Sequence, residues 1–221
     1  MMLPVAPAMA ADEPASEAPK AESGKLVVGD KAPAIQVEKW LQGDEIKEFK
    51  TGHAYVVEFW ATWCGPCINA MPHMSKMSKQ YKDANIHFVG VNVWERNYGA
   101  ETLEKVTKFV KDQGSRLTYN VAYDGGDAKM ANAYMKAAGQ NGIPCAFLVD
   151  REGKIAWIGH PMMLDLPLDM MAKGTWDSVK GPAAIKSAEA AMEKIYEKAN
   201  EGDFAGAITA FDGFAKDYPA V

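Results

Sequence analysis

Apolar residues run almost unbroken through Ala54–Ala61, with Glu58 the one charge among them. That pattern predicts a strand buried on both faces. Ile86–Trp94 repeats it around a Phe88-Val89-Gly90-Val91 centre. Between the two, Ile68–Tyr81 has helical periodicity, with Pro72 inside, where a kink is expected. Ala100–Gln113 places Leu103, Val106, Phe109 and Val110 along one stripe and predicts a second helix. Tyr119–Tyr123 reads as a short strand, and Asp127–Ala138 as a helix ended by Gly139. Pro144–Val149 and Lys154–Ile158 flank the turn Asp150-Arg151-Glu152-Gly153 and predict a hairpin. Leu164–Met171 adds a short helix after Pro161. Upstream, Ile35–Leu41 and Glu45–Phe49 surround the turn Gln42-Gly43-Asp44-Glu45 and predict an N-terminal β-hairpin. The fold class is therefore α/β: a central mixed sheet flanked by helices, with an antiparallel end.

Beyond Gly174 the pattern changes. Trp176–Pro182 reads as a linker, and Ala183–Asn200 and Asp203–Lys216 as two helices joined at Glu201-Gly202. Phe204, Ile208, Phe211 and Phe214 recur at three-to-four spacing, so this C-terminal helical hairpin needs something to lie against. At the other end, Ala8-Met9-Ala10 has the small-x-small form of a signal-peptide tail, and Ala11–Ser23 is an Ala/Glu/Pro-rich tether. The expected division is 1–26 signal remnant and tether, 27–173 a principal domain, and 174–221 a helical extension. Export would place the chain in an extracytoplasmic, oxidising compartment.

Composition narrows the classes without choosing one. The chain has 221 residues, 48% hydrophobic and 24% charged, with a net charge of −5. The acidic balance and lack of a basic run argue against a nucleic-acid partner. No apolar run reaches the length of a membrane span. Three cysteines are too few for a disulfide scaffold, and no second C-x-x-C completes a zinc site.

Trp63-Cys64-Gly65-Pro66-Cys67 stands at the junction of the first buried strand and the first helix. A C-x-x-C there is the sequence form of a thiol–disulfide site. Cys64 falls in the first turn, where unpaired N–H groups and the helix dipole favour a thiolate. Cys67 lies one turn further in, close enough to form a disulfide and too covered to attack first. Gly65 allows close approach of a substrate backbone, and Pro66 fixes the turn. Glu58, six positions before Cys64, would be buried with a raised pKa and could relay the proton that Cys67 must lose. The alternative is a strand-end carboxylate reaching solvent. Cys145 is a third thiol or simply a small buried residue.

Glu58–Cys67 resembles the thioredoxin-fold signature. Met71-Pro72, Gly142-Ile143-Pro144 and Phe147–Lys154 resemble the TlpA/ResA-like thiol-disulfide oxidoreductases, over roughly residues 27–173. The resemblance implies a thioredoxin-like sheet, an N-terminal hairpin and a central insertion, matched by 27–49 and 95–138. It makes Pro144 a cis-proline facing the disulfide, with the Ile143 backbone pairing to bound peptide. It also gives Trp60 and Trp63 a covering role, Trp60 having core packing as its alternative. Cys145 follows that proline where relatives often carry Thr. Ala70 stands where many have an acidic residue. The implied activity is reduction of disulfide-containing protein substrates, with electrons from a membrane thiol donor and no cofactor.

Two rival functions remain in view. A peroxidase of the peroxiredoxin type would have Thr or Ser three residues before the nucleophile and a Pro further upstream, where this chain has Ala61 and Val57. A scaffold or adaptor would use the helical extension to bind a partner protein. Gly202–Pro219 resembles the second half of a tetratricopeptide repeat, and a single repeat cannot bury its own face. Met71, Met74 and Met77 beside His73, and Met162 and Met163 beside His160, could offer thioether and imidazole to copper. Methionines at helical spacing are more often core, and no metal is expected.

Overall fold

The computed structural model describes residues 25–177 and 180–218. The expected signal remnant and most of the tether lie outside them. Six strands form one mixed sheet in the order β1-β4-β3-β2-β5-β6. They are β1 (Lys39–Gln42), β2 (Ala54–Trp60), β3 (Ile86–Asn92), β4 (Asn120–Tyr123), β5 (Cys145–Val149) and β6 (Ile155–Gly159). The central strands β2, β3 and β4 are parallel, while β5 and β6 continue antiparallel on one side and β1 on the other. β2 is buried along its whole length, as its apolar run requires.

The two sheet faces carry separate cores. Alternation along β2 sends Val56 and Trp60 to the face covered by α1 (Gly65–Gln80), α2 (Ala100–Gln113) and α3 (Asp165–Ala172). Tyr55, Val57 and Phe59 point the other way, onto Met130, Tyr134 and Phe147. Met71, Met74 and Met77 lie in the first core, so that stripe is packing. Pro72 sits inside α1, and having no N–H it leaves Ile68 without its intrahelical donor. The Arg116 guanidinium donates to that carbonyl at 3.4 Å.

Three expectations need correction. The N-terminal hairpin is not formed. β1 pairs antiparallel with β4, and the chain then turns at Gly43, which has φ +75°. The Asp44 N–H donates to Asn120 Oδ1 at 2.9 Å, and Ile46 and Phe49 pack on the second core without joining the sheet. Their apolar pattern is satisfied by burial alone. The helix expected over 127–138 is instead a π-helical segment, Ala131–Lys136. Its entry is fixed by Asp124, whose carboxylate accepts from the N–H groups of Met130 and Ala131. The linker expected over 176–182 is shorter, because α4 (Lys180–Asn200) already contains Gly181 and Pro182.

α4 and α5 (Phe204–Asp217) form the C-terminal hairpin around Ala188, Ile195, Ala207 and Phe214. Ile185 of α4 enters the first core, and Leu166 of α3 touches both clusters. The hairpin therefore rests on the principal domain. No described helix is long and apolar enough to cross a membrane.

Candidate active site

The parallel strands β2 and β3 finish at the same end of the sheet, and β2 hands over there to α1 through Ala61-Thr62-Trp63-Cys64. Cys64 is the N-cap of α1, and its sulfur accepts the Cys67 N–H at 3.2 Å. An N-terminal turn that aims donors at sulfur favours the thiolate once the pair is reduced. Cys64 and Cys67 are joined in a disulfide. Cys64 is 4% exposed and Cys67 fully buried, so the first is the sulfur nearer the surface. Gly65 and Pro66 are exposed beside it.

Two further segments close on this turn. The Ile143–Pro144 peptide is cis, and both residues are half-buried. The Ile143 carbonyl lies 3.7 Å from Cys64 Sγ. From β3 comes a latch that residue patterns did not disclose. Glu95 Oε1 accepts from the Thr62 N–H and from Asn92 Nδ2, and its Oε2 accepts from the Thr62 hydroxyl, each at 2.8 Å. Trp63 Nε1 donates to the Trp94 carbonyl at 2.8 Å, and Trp94 itself has φ +53°. Three hydrogen bonds thus hold the approach to Cys64, and a fourth, from Asn92, holds Glu95. Trp63 stays 49% exposed, an apolar surface beside the sulfur.

Glu58 lies on the α1 face of β2, between Val56 and Trp60, with no exposure to solvent. The solvent-reaching alternative is excluded. Burial pushes its carboxyl up to about 8, against one opposing influence, a hydrogen bond from Tyr119. The Tyr119 hydroxyl donates to Oε2 at 3.3 Å, and Oε1 has no partner among the described residues. Trp60 is entirely buried and stacked on Phe109, with centroids 5.5 Å apart, so it packs the core and does not meet substrate.

Cys145 is a free, buried thiol opposite Phe59. Cross-strand partners share a face, and Cys145 falls in the core on the far side of the sheet from Cys64 and Cys67. Burial, with the Glu58 charge added, pushes its thiol up to about 12. It is placed as a packing residue. The remaining candidates do not gather either. His73 pairs with Asp165 at 2.9 Å, and His160 Nδ1 accepts the Met162 N–H. No cluster of three metal-ligating side chains occurs among the described residues.

Sequence reasoning missed Thr62, Glu95, Tyr119 and Gly90. Only Gly90 left a trace, as a glycine inside an otherwise bulky strand, which signals close approach of another group.

The Redoxin family model matches residues 27–165. Protein FixW of Rhizobium leguminosarum is 30% identical over 159 residues, 70% of each chain. Thiol-disulfide oxidoreductase ResA of Bacillus thuringiensis is 31% identical over 137 residues, 61% of this chain and 70% of that one. Among solved structures, a thiol:disulfide interchange protein of the thioredoxin family from Chlorobium tepidum superposes with a TM-score of 0.52 at 26% identity, covering 65% of this chain and 96% of that one.

Proposed function

This chain belongs to the redoxin family and is a thiol-disulfide oxidoreductase of the thioredoxin fold, and from that premise we propose that it is an exported reductase of protein disulfides. The observation that carries the reading is Cys64 at the α1 N-cap, its sulfur between the Cys67 N–H and the Ile143 carbonyl. A nucleophile needs the first and a docked peptide needs the second. The Ile143 backbone, Pro144, Gly65 and Pro66 offer an extended substrate polar groups and little obstruction, and Trp63 adds apolar contact.

Turnover starts once a dithiol donor has put two electrons into the Cys64–Cys67 disulfide. The Cys64 thiolate attacks one sulfur of the substrate disulfide, forms a mixed disulfide and releases the first substrate thiolate. Cys67 passes its proton to Glu58, its sulfur attacks Cys64 Sγ, and the second substrate thiolate leaves. The substrate has gained two electrons and the pair is again a disulfide. Sulfur carries the electrons, so no cofactor is required. In an oxidising compartment the donor would be a membrane thiol protein. A tetratricopeptide-like role for α4 and α5, as a docking site for a partner protein, is a second reading, favoured by exposed Phe204, Ile208 and Phe211 on α5.

Insulin-disulfide reduction tests the activity. Cys64→Ser abolishes it, and Cys67→Ser accumulates a mixed disulfide at Cys64; turnover that survives Cys64→Ser ends the proposal. A redox titration tests direction. The expected potential lies near that of thioredoxin, about −270 mV, and a value near about −120 mV would make the protein an oxidant.

A further inference from the structure

Glu58, Gly90 and Val121 stand in line across β2, β3 and β4, each paired with its neighbour. Tyr119 precedes β4 by one residue and Val121 by two, so its side chain lies on the same face. To reach Glu58 from there it must cross β3, and it crosses at Gly90. A Cβ on Gly90 would stand 2.8 Å from Tyr119 Cε2, and 3.2 Å from both Glu58 Oε2 and Trp60 Nε1. Any side chain there would push the tyrosine ring off the carboxylate. Both Tyr119 and Glu58 are buried, so no solvent competes for the bond.

We propose that Tyr119 is a positioning residue, holding Glu58 Oε2 through the gap at Gly90 and leaving Oε1 free to take the Cys67 proton. The inference rests on the relay role given to Glu58 above. Burial without that hydrogen bond would hold the carboxyl protonated to higher pH, and a protonated carboxyl cannot accept the thiol proton. The donated hydrogen bond favours the carboxylate and works against that burial. The tyrosine stays a donor because its own ionisation is pushed well up, by burial first and by Glu58 second. Around Glu58 stand also Cys145 from β5 and, packed over the same face, the Cys64–Cys67 pair, which titrates only once reduced.

The test follows release of a coloured aromatic thiolate from its mixed disulfide with Cys64, as a function of pH, in the full chain. In the parent the rate should rise through an ionisation near the Glu58 value of about 8. Glu58→Gln should remove that ionisation. Tyr119→Phe should move it upward by about one pH unit, slowing release about tenfold near neutrality, and should add nothing to Glu58→Gln. Difference infrared titration of the Glu58 carboxyl in the oxidised protein reads the same shift without turnover, and keeps the test open should Tyr119→Phe perturb the rate by misfolding. A Tyr119→Phe carboxyl titration that superimposes on the parent, while Glu58→Gln still removes the ionisation, overturns the part given to Tyr119. A Glu58→Gln profile that keeps the ionisation overturns the relay itself, and the positioning role with it.

Discussion

Glu58 sets the energetic problem at the scale of one residue. A carboxylate in a strand buried on both faces costs free energy unless it is paired or protonated, and Tyr119 supplies it with a hydrogen bond. Its folded pKa, about 8, lies above the usual glutamate value of 4.5. The sign follows directly. The folded state holds this proton more tightly than the unfolded chain, so the associated stability is fully present below about pH 4.5 and is lost progressively as pH climbs through about 8. Replacing Glu58 by Gln keeps the volume and removes the charge. The oxidised Glu58→Gln protein should therefore gain stability over the parent as pH rises, on the order of a few kcal/mol by the top of that window. Urea unfolding at a series of pH values checks this, and parallel stability curves for the two proteins would contradict it. Such a residue is retained against its own cost, which accords with a proton-transfer task.

At the scale of elements, the latch between the end of β3 and the β2–α1 turn does for the backbone what Tyr119 does for Glu58. Glu95 is half-buried and takes three donors from the turn and the strand end. Truncation by Glu95→Ala would leave the Thr62 N–H to water and free the chain leading to Cys64. We expect a loss of about 1–2 kcal/mol, with faster amide exchange at Thr62 and Trp63 and unchanged exchange in β2. Uniform acceleration across the sheet would instead show that Glu95 supports the whole fold. The strands and α1 were legible in the sequence because burial leaves a pattern on them: an apolar run broken only by Glu58 in the seven buried positions of β2, and Met71, Met74 and Met77 inward along α1. The C-x-x-C and the Gly142-Ile143-Pro144 segment were legible because turn chemistry is local. The latch was not, since Thr62 and Glu95 stand 33 residues apart and meet only when parallel strands bring their ends together. The false N-terminal hairpin has the opposite cause. Ile46 and Phe49 have a strand-like pattern, yet packing on a sheet face satisfies it as well as pairing does. Periodicity reports burial, and the ladder partner is decided elsewhere.

At the scale of the whole molecule, the C-terminal hairpin is joined to the redox domain by few residues. Its own cluster is small, built on Ala188, Ile195, Ala207 and Phe214. Its hold on the principal core includes Ile185, 5% exposed, and Leu166 of α3, with Trp176 packed close over Gly181. An α-helical pair with so little apolar interior has little stability of its own, so docking should account for most of its order. Ile185→Ala removes the anchoring side chain and should weaken docking by about 2–5 kcal/mol. The consequence should stay local. Amide exchange should quicken through α4 and α5 while β2, β3 and β5 keep their protection, and reduction of a small disulfide should proceed at the parent rate, because the hydrogen bonds that hold Cys64 and its approach come from Thr62, Trp63, Cys67, Trp94, Glu95 and Ile143, and none from the hairpin. If the same substitution lowers protection evenly from β2 to α5, the hairpin is an integral part of one cooperative fold. If only the hairpin loosens, residues 174–218 form an appendage that can be unlocked without touching the thiol chemistry, and the exposed face of Phe204, Ile208 and Phe211 can then be tested for protein binding separately from catalysis.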